Sequence, residues 1–105
     1  MSDLKDNALA SLDELLATGE ILLKNLYVSD KDNGDSAMEA ISVMLMQLFD
    51  FYGPTSPTAQ QLFPAMDVIK SRIDRGNYVG AIWDVENFIK SLKEIRKIVE
   101  LSHLN

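Results

Sequence analysis

The fifteen residues from Met38 to Tyr52, MEAISVMLMQLFDFY, decide how the rest of the chain is read. Eleven of them are apolar and none is Gly or Pro. At 100° per residue the polar Glu39, Ser42, Gln47 and Asp50 share one arc, yet Val43 and Met46 fall inside it too. An ordinary surface helix hides one stripe and wets the remainder. This helix has little to wet, so it is either the central helix of the fold or the carrier of a contact surface for another chain. It is shorter than the about 20 apolar residues that span a bilayer.

Working outward from this run, Ser36 and Glu39 form an S-x-x-E capping box that sets a helix start at Ser36, and Gly53-Pro54 sets its stop. The stretch Ser29–Asp35, SDKDNGD, then becomes a polar loop. Before it, a first helix runs from Asp3 to Tyr27, capped by Ser2 or Asp3, with Leu9, Leu12, Leu16, Leu23 and Leu26 at helical spacing. Gly19 interrupts that helix at about 1 kcal/mol relative to Ala. A kink or a close helix crossing would explain it, and so would chance.

Beyond GPTSPT, Thr58 and Gln61 offer a second capping box, but Pro64 follows. A proline inside a helix removes a hydrogen bond at about 3 kcal/mol. Helix three is therefore either kinked or divided, with one turn ending near Leu62 and a new helix starting at Pro64. Leu62, Met66, Ile69 and Ile73 share a face, Arg72 and Arg75 suit the negative end of the dipole, and Gly76 suits the C′ position. Asn77 can cap a fourth helix from Tyr78 to Leu101, whose apolar stripe is Ile82, Val85, Ile89, Leu92 and Val99. The two-residue connection makes helices three and four a tight antiparallel hairpin. No run alternates as a strand would. The expected fold is one all-α domain over 1–105, an up-and-down four-helix bundle with a break or kink near Pro64.

The chain has no cysteine, which removes disulfides and thiolate chemistry and fits a reducing compartment. The opening MSDLKDNALASLDELL lacks a basic region leading into an apolar one, so no secretion signal is read and a cytoplasmic location is expected. Net charge is −6 but uneven: residues 1–52 carry ten acidic and three basic side chains, and residues 53–105 carry six and seven. Direct nucleic-acid binding needs a basic footprint and is disfavoured.

Catalytic constellations are missing from the sequence. Counting an EF-hand from Asp30 puts Gly34 at position five and Ile41 at twelve, so the register fails. Glu100 and His103 form one Glu-x-x-His pair where a di-iron bundle needs two, and His103 is the sole histidine. That also argues against a Ser-His-Asp site. Neither G-x-G-x-x-G nor a Walker loop occurs. The chain therefore reads as a non-enzyme with no catalytic residue, cofactor, metal or small-molecule substrate. Should a ligand site exist in the bundle, Ser42, Gln47 and Asp50 are the polar candidates on helix two.

Arg75 to Ile82, RGNYVGAI, is similar to the G-[DN]-Y-x-x-A-[IL] opening of the second helix in a tetratricopeptide hairpin. It covers eight of 105 residues, has no second copy at the 34-residue period, and lacks the first-helix pattern. The resemblance implies a helical hairpin with a Gly turn and an Asn cap. The plan of a small acidic bundle also looks like secretion or flagellar export chaperones and small immunity or adaptor proteins, at the level of fold.

The expected function is a non-enzymatic protein-binding module, acting on another protein or on a second copy of itself as a homodimer. Its contact residues would be Val43 and Met46, with Leu45 and Phe49 beside them and Trp83 as an anchor, since tryptophan is enriched at interface hot spots. Core packing is the alternative for Trp83 and for the clustered Met38, Met44 and Met46, whose thioethers fill core gaps as readily as they line grooves. A second expectation is an acidic decoy that mimics nucleic acid towards a nucleic-acid-binding protein, using the −7 half.

Overall fold

The computed structural model describes residues 3–52 and 57–101, with side chains over 5–48 and 60–101. Four helices account for nearly all of it: α1 (Asp3–Tyr27), α2 (Lys31–Tyr52), α3 (Pro57–Asp74) and α4 (Tyr78–Leu101). Among the described residues there is no strand. α1 packs between α2 and α4, and α3 packs against α4 and, more thinly, against α2. In the diagonal pairs α1–α3 and α2–α4 no two Cα atoms come within 8 Å among the described residues. This is the expected all-α four-helix bundle, 45 × 23 × 19 Å in extent.

One core runs along its axis. α1 contributes Leu12, Leu15, Leu22 and Leu26, and α2 contributes Ile41, Leu45 and Leu48. From α3 come Leu62, Met66, Ile69 and Ile73, the face read from the sequence, and from α4 come Val85, Phe88, Leu92 and Val99. No polar or charged side chain is buried among the described residues, so burial of apolar surface alone closes the bundle. The α1 stripe differs from expectation: Leu15 and Leu22 are fully buried, while Leu9, Leu16 and Leu23 pack at the edge. Adjacent leucines at 15/16 and 22/23 satisfy two phases of the same helix, and contact with α2 and α4 selects one.

The start of α2 is a correction. The helix begins at Lys31, so most of the expected SDKDNGD loop is its first turns. Asp30 is the cap: its Oδ1 accepts from the Asn33 backbone N–H at 3.2 Å, and its carbonyl accepts from the Gly34 N–H at 2.9 Å. Ser36 lies inside the helix, where its Oγ donates to the Asp32 carbonyl at 3.2 Å. Gly34 is buried, and a Cβ there would meet Leu22 Cδ1 at 3.9 Å. That is ordinary van der Waals contact, so α1 lies beside this turn without demanding glycine there. The expected stop at Gly53-Pro54 lies outside the described residues.

α3 is a single helix through Pro64, so the divided alternative falls away. Pro64 and Gln60, whose carbonyl loses its partner, are both exposed, and water can satisfy that carbonyl. Gly19 is where α1 and α4 cross closely, since a Cβ on it would sit 3.1 Å from Ile89 Cγ1.

Both hairpin turns use one device. Gly76 (φ 75°) donates to the Ile73 carbonyl at 3.0 Å and Asn77 to the Arg72 carbonyl at 2.8 Å, a Schellman arrangement. Asn77 then caps α4, its Oδ1 accepting from the Gly80 N–H at 3.1 Å. At the α1–α2 turn, Ser29 (φ 56°) donates to the Leu26 carbonyl at 3.1 Å and Asp30 to the Asn25 carbonyl at 2.8 Å. One Asx residue ends one helix and starts the next in each turn.

Candidate functional site

The expected contact residues separate in three dimensions. On α2, Leu45 is fully buried and belongs to the core, which withdraws it from any contact surface. Its neighbour Met46 is 62% exposed, and Val43, on the same outward face, is exposed as well. The Phe49 side chain lies outside the described residues. Trp83 is 67% exposed rather than core, and it stands on α4. Because α2 and α4 occupy diagonal corners of the bundle, Val43 and Met46 face away from Trp83. One flat contact cannot engage both groups on the same molecule.

Each group lies on or beside a groove. Between α3 and α4 runs a depression of about 650 Å³ whose apolar lining includes Ala65, Val68, Trp83, Phe88, Ile95 and Ile98. Trp83 and Ile98 form its α4 rim and Val68 its α3 rim, all three exposed. Sequence reading missed Val68 and Ile98, since each stands beside a core residue, Ile69 and Val99, and its exposure at a groove comes from the helix opposite. One end of this groove is fixed by an ion pair between Arg72 Nε on α3 and Asp84 Oδ2 on α4. Gly80 leaves room for it, since a Cβ there would lie 2.9 Å from Arg72 Nη1 and 2.7 Å from Asn77 Nδ2 and those side-chain ends would have to shift.

A second groove, also of about 650 Å³, runs between α2 and α3 at the thinnest seam of the bundle. Met38, Leu45 and Met66 form its floor, and Phe63 stands on its α3 wall. Ser42, one of the polar candidates on α2, lines this groove and donates to the Met38 carbonyl at 3.1 Å. Gln47 is exposed, and the Asp50 side chain lies outside the described residues.

Two exposed cations are held by carboxylates. Lys31 Nζ lies 2.7 Å from Asp35 Oδ2 and 4.0 Å from Asp74 Oδ1, and the hydrogen bond to Asp35 raises its pKa above 10.5. Arg96 Nε lies 2.6 Å from Asp13 Oδ1 and its Nη1 3.0 Å from Glu100 Oε2, tying α4 to α1. The Asp13 hydrogen bond raises the guanidinium pKa. Neither arrangement is a proton-transfer pair, since both cations stay charged at neutral pH. Among the described residues no three Asp, Glu or His side chains converge on a metal position. No described helix is long and apolar enough to cross a membrane. The chain matches no protein-family model, no curated protein and no solved structure.

Proposed function

We propose that this chain is a non-enzymatic protein-binding module whose principal contact is the α3–α4 groove, with Trp83 as its anchor. The observation that carries this reading is a single tryptophan, 67% exposed, standing on the α4 rim of an apolar groove that also exposes Ile98 on the same rim and Val68 on the opposite one. A side chain of this size normally buries 150–250 Å². Exposed apolar patches with polar edges mark interaction sites, and tryptophan in a pocket is the commonest hot spot. Asn87, Ser91 and Glu94 supply the polar edge here.

The acidic-decoy reading has less behind it. Of the carboxylates in the first half, Asp13 is drawn to Arg96, Asp35 to Lys31, and Asp30 caps α2. Fewer are left to imitate a phosphate backbone.

A photo-crosslinker placed at Val68 tests the proposal, used in the purified chain and in cells of the native host. A specific adduct, to a second copy or to another protein, that disappears when Trp83→Ser is added is the expected result. Trp83 is exposed, so that variant keeps its helical circular dichroism. An adduct indifferent to Trp83→Ser, or none at all, overturns the proposal.

A further inference from the structure

The α2–α3 groove differs in kind from the Trp83 surface, because its chemistry changes along its length. Its α2 wall is Asp35, Glu39 and Ser42, and the same 4-3-4 spacing continues to the exposed Met46. Its α3 wall repeats that spacing with Phe63, Asp67, Lys70 and Asp74. The helices are antiparallel, and the Lys31–Asp74 contact at 4.0 Å fixes their register. Counting about 1.5 Å per residue from that contact places Met46 and Phe63 level to about one turn. The groove therefore passes from apolar at Met46 and Phe63 to the carboxylates Asp67 and Glu39, about 6–10 Å along the helix axes.

Two carboxylates in the middle of the groove are available. Glu39 and Asp67 have no ion-pair partner among the described residues, and both are exposed. Lys31 is engaged by Asp35 and Asp74, which leaves Lys70 as the one cation set against Glu39 and Asp67. Beneath the groove lie the buried Met38, Leu45 and Met66, so two of the three core side chains under it are flexible thioethers that can repack beneath an apolar insert.

We infer that the α2–α3 groove docks an amphipathic helix of a partner protein, apolar over one end and basic over the other. Its apolar side chains, spaced i, i+4, would sit between Met46 and Phe63, in the helix-in-groove mode. Its Lys or Arg side chains, about 4–7 residues along, would face Glu39 and Asp67. This surface lies on a different seam from Trp83, so it stands or falls independently of the function proposed above.

The test is selection from a displayed library of randomised helical peptides of about 16 residues, long enough to cover the groove. Binders are expected to carry an apolar i, i+4 pair at one end and two or more cations at the other. Their binding should shift the amide resonances of Glu39, Ser42, Met46, Phe63 and Asp67. The double variant Glu39→Lys, Asp67→Lys should weaken them at least about tenfold and turn selection towards acidic peptides. Met46→Ser should weaken them without changing their charge preference, and Trp83→Ser should leave them unaffected. Binders without the basic end, binders insensitive to the charge reversal, resonance shifts confined to the Trp83 groove, or occupancy of this groove by a second copy would each overturn the inference.

Discussion

Leu45 and Met46 are neighbours in sequence and opposites in the fold, which makes truncation to alanine at each a direct test of the placement of α2. Leu45 is 0% exposed, so Leu45→Ala removes a fully packed side chain and leaves a cavity. Substitutions of that kind cost about 2–5 kcal/mol. Met46 is 62% exposed, so little more than a third of it leaves water on folding. Full burial of a methionine side chain stabilises by about 1.5–3 kcal/mol, and a third of that is about 0.5–1 kcal/mol. Alanine recovers a little of this through its higher helix propensity. Urea unfolding followed by far-ultraviolet circular dichroism is the assay, at low micromolar protein to suppress association. A midpoint that drops sharply for Leu45→Ala and barely for Met46→Ala, with the slope unchanged in both, is expected. In melting temperature the leucine change should cost about 8 °C or more, at about 4–8 °C per kcal/mol for a domain near this size. Equal losses at the two positions would mean that α2 is rotated in solution, and the α2–α3 groove would lose its Met46 wall.

Three further outcomes follow from local geometry. At the two equivalent turn positions the same logic gives opposite signs: Gly76→Ala should lose about 1 kcal/mol or more because φ is 75°, whereas Ser29→Gly at φ 56° should gain a few tenths to about 1 kcal/mol in chemical denaturation. Gly19→Ala alone should be near neutral or destabilising, because the helix-propensity gain of about 1 kcal/mol meets Ile89 Cγ1 at 3.1 Å. In an Ile89→Ala background the same change should gain close to the full amount, and a double-mutant cycle showing no coupling would refute the crossing. The raised pKa of Lys31 means that its folded form favours the proton, so its contribution is complete below pH 10.5 and is lost as pH rises through the raised value. Its side-chain resonances should accordingly titrate above pH 10.5, and Asp35→Asn should lower that midpoint.

The legibility of this sequence varied along its length for identifiable reasons. The α3–α4 hairpin could be read almost whole, because Gly76, Asn77 and the Leu62–Ile73 face all signal the same boundary. The start of α2 could not, since Ser36–Glu39 imitates a cap and Asn33-Gly34 imitates a turn. What decides the start is the Asp30 cap, whose side chain accepts from the Asn33 N–H, and that cap is concealed because Asp30 stands inside a turn-rich run. On α2 the outward placement of Val43 and Met46 follows from their phase, but Leu45 needs only one step of that phase to pass from rim to core. Trp83 is the instructive case for the candidate site. Its position outside the α4 stripe was visible, and the groove beside it was not, because Val68 and Ala65 come from α3.

The unequal seams have a mechanical consequence. With α1 joined broadly to both α2 and α4, and α3 joined firmly to α4 alone, the bundle resembles a book whose spine is the α1–α4 pair. Opening such a book parts the helix pair with the fewest close backbone approaches among the described residues, so the α2–α3 edge should open at a lower free energy than global unfolding. Amides of α2 and α3 that face this edge would then exchange with deuterium before those along the spine, well before the bundle comes apart.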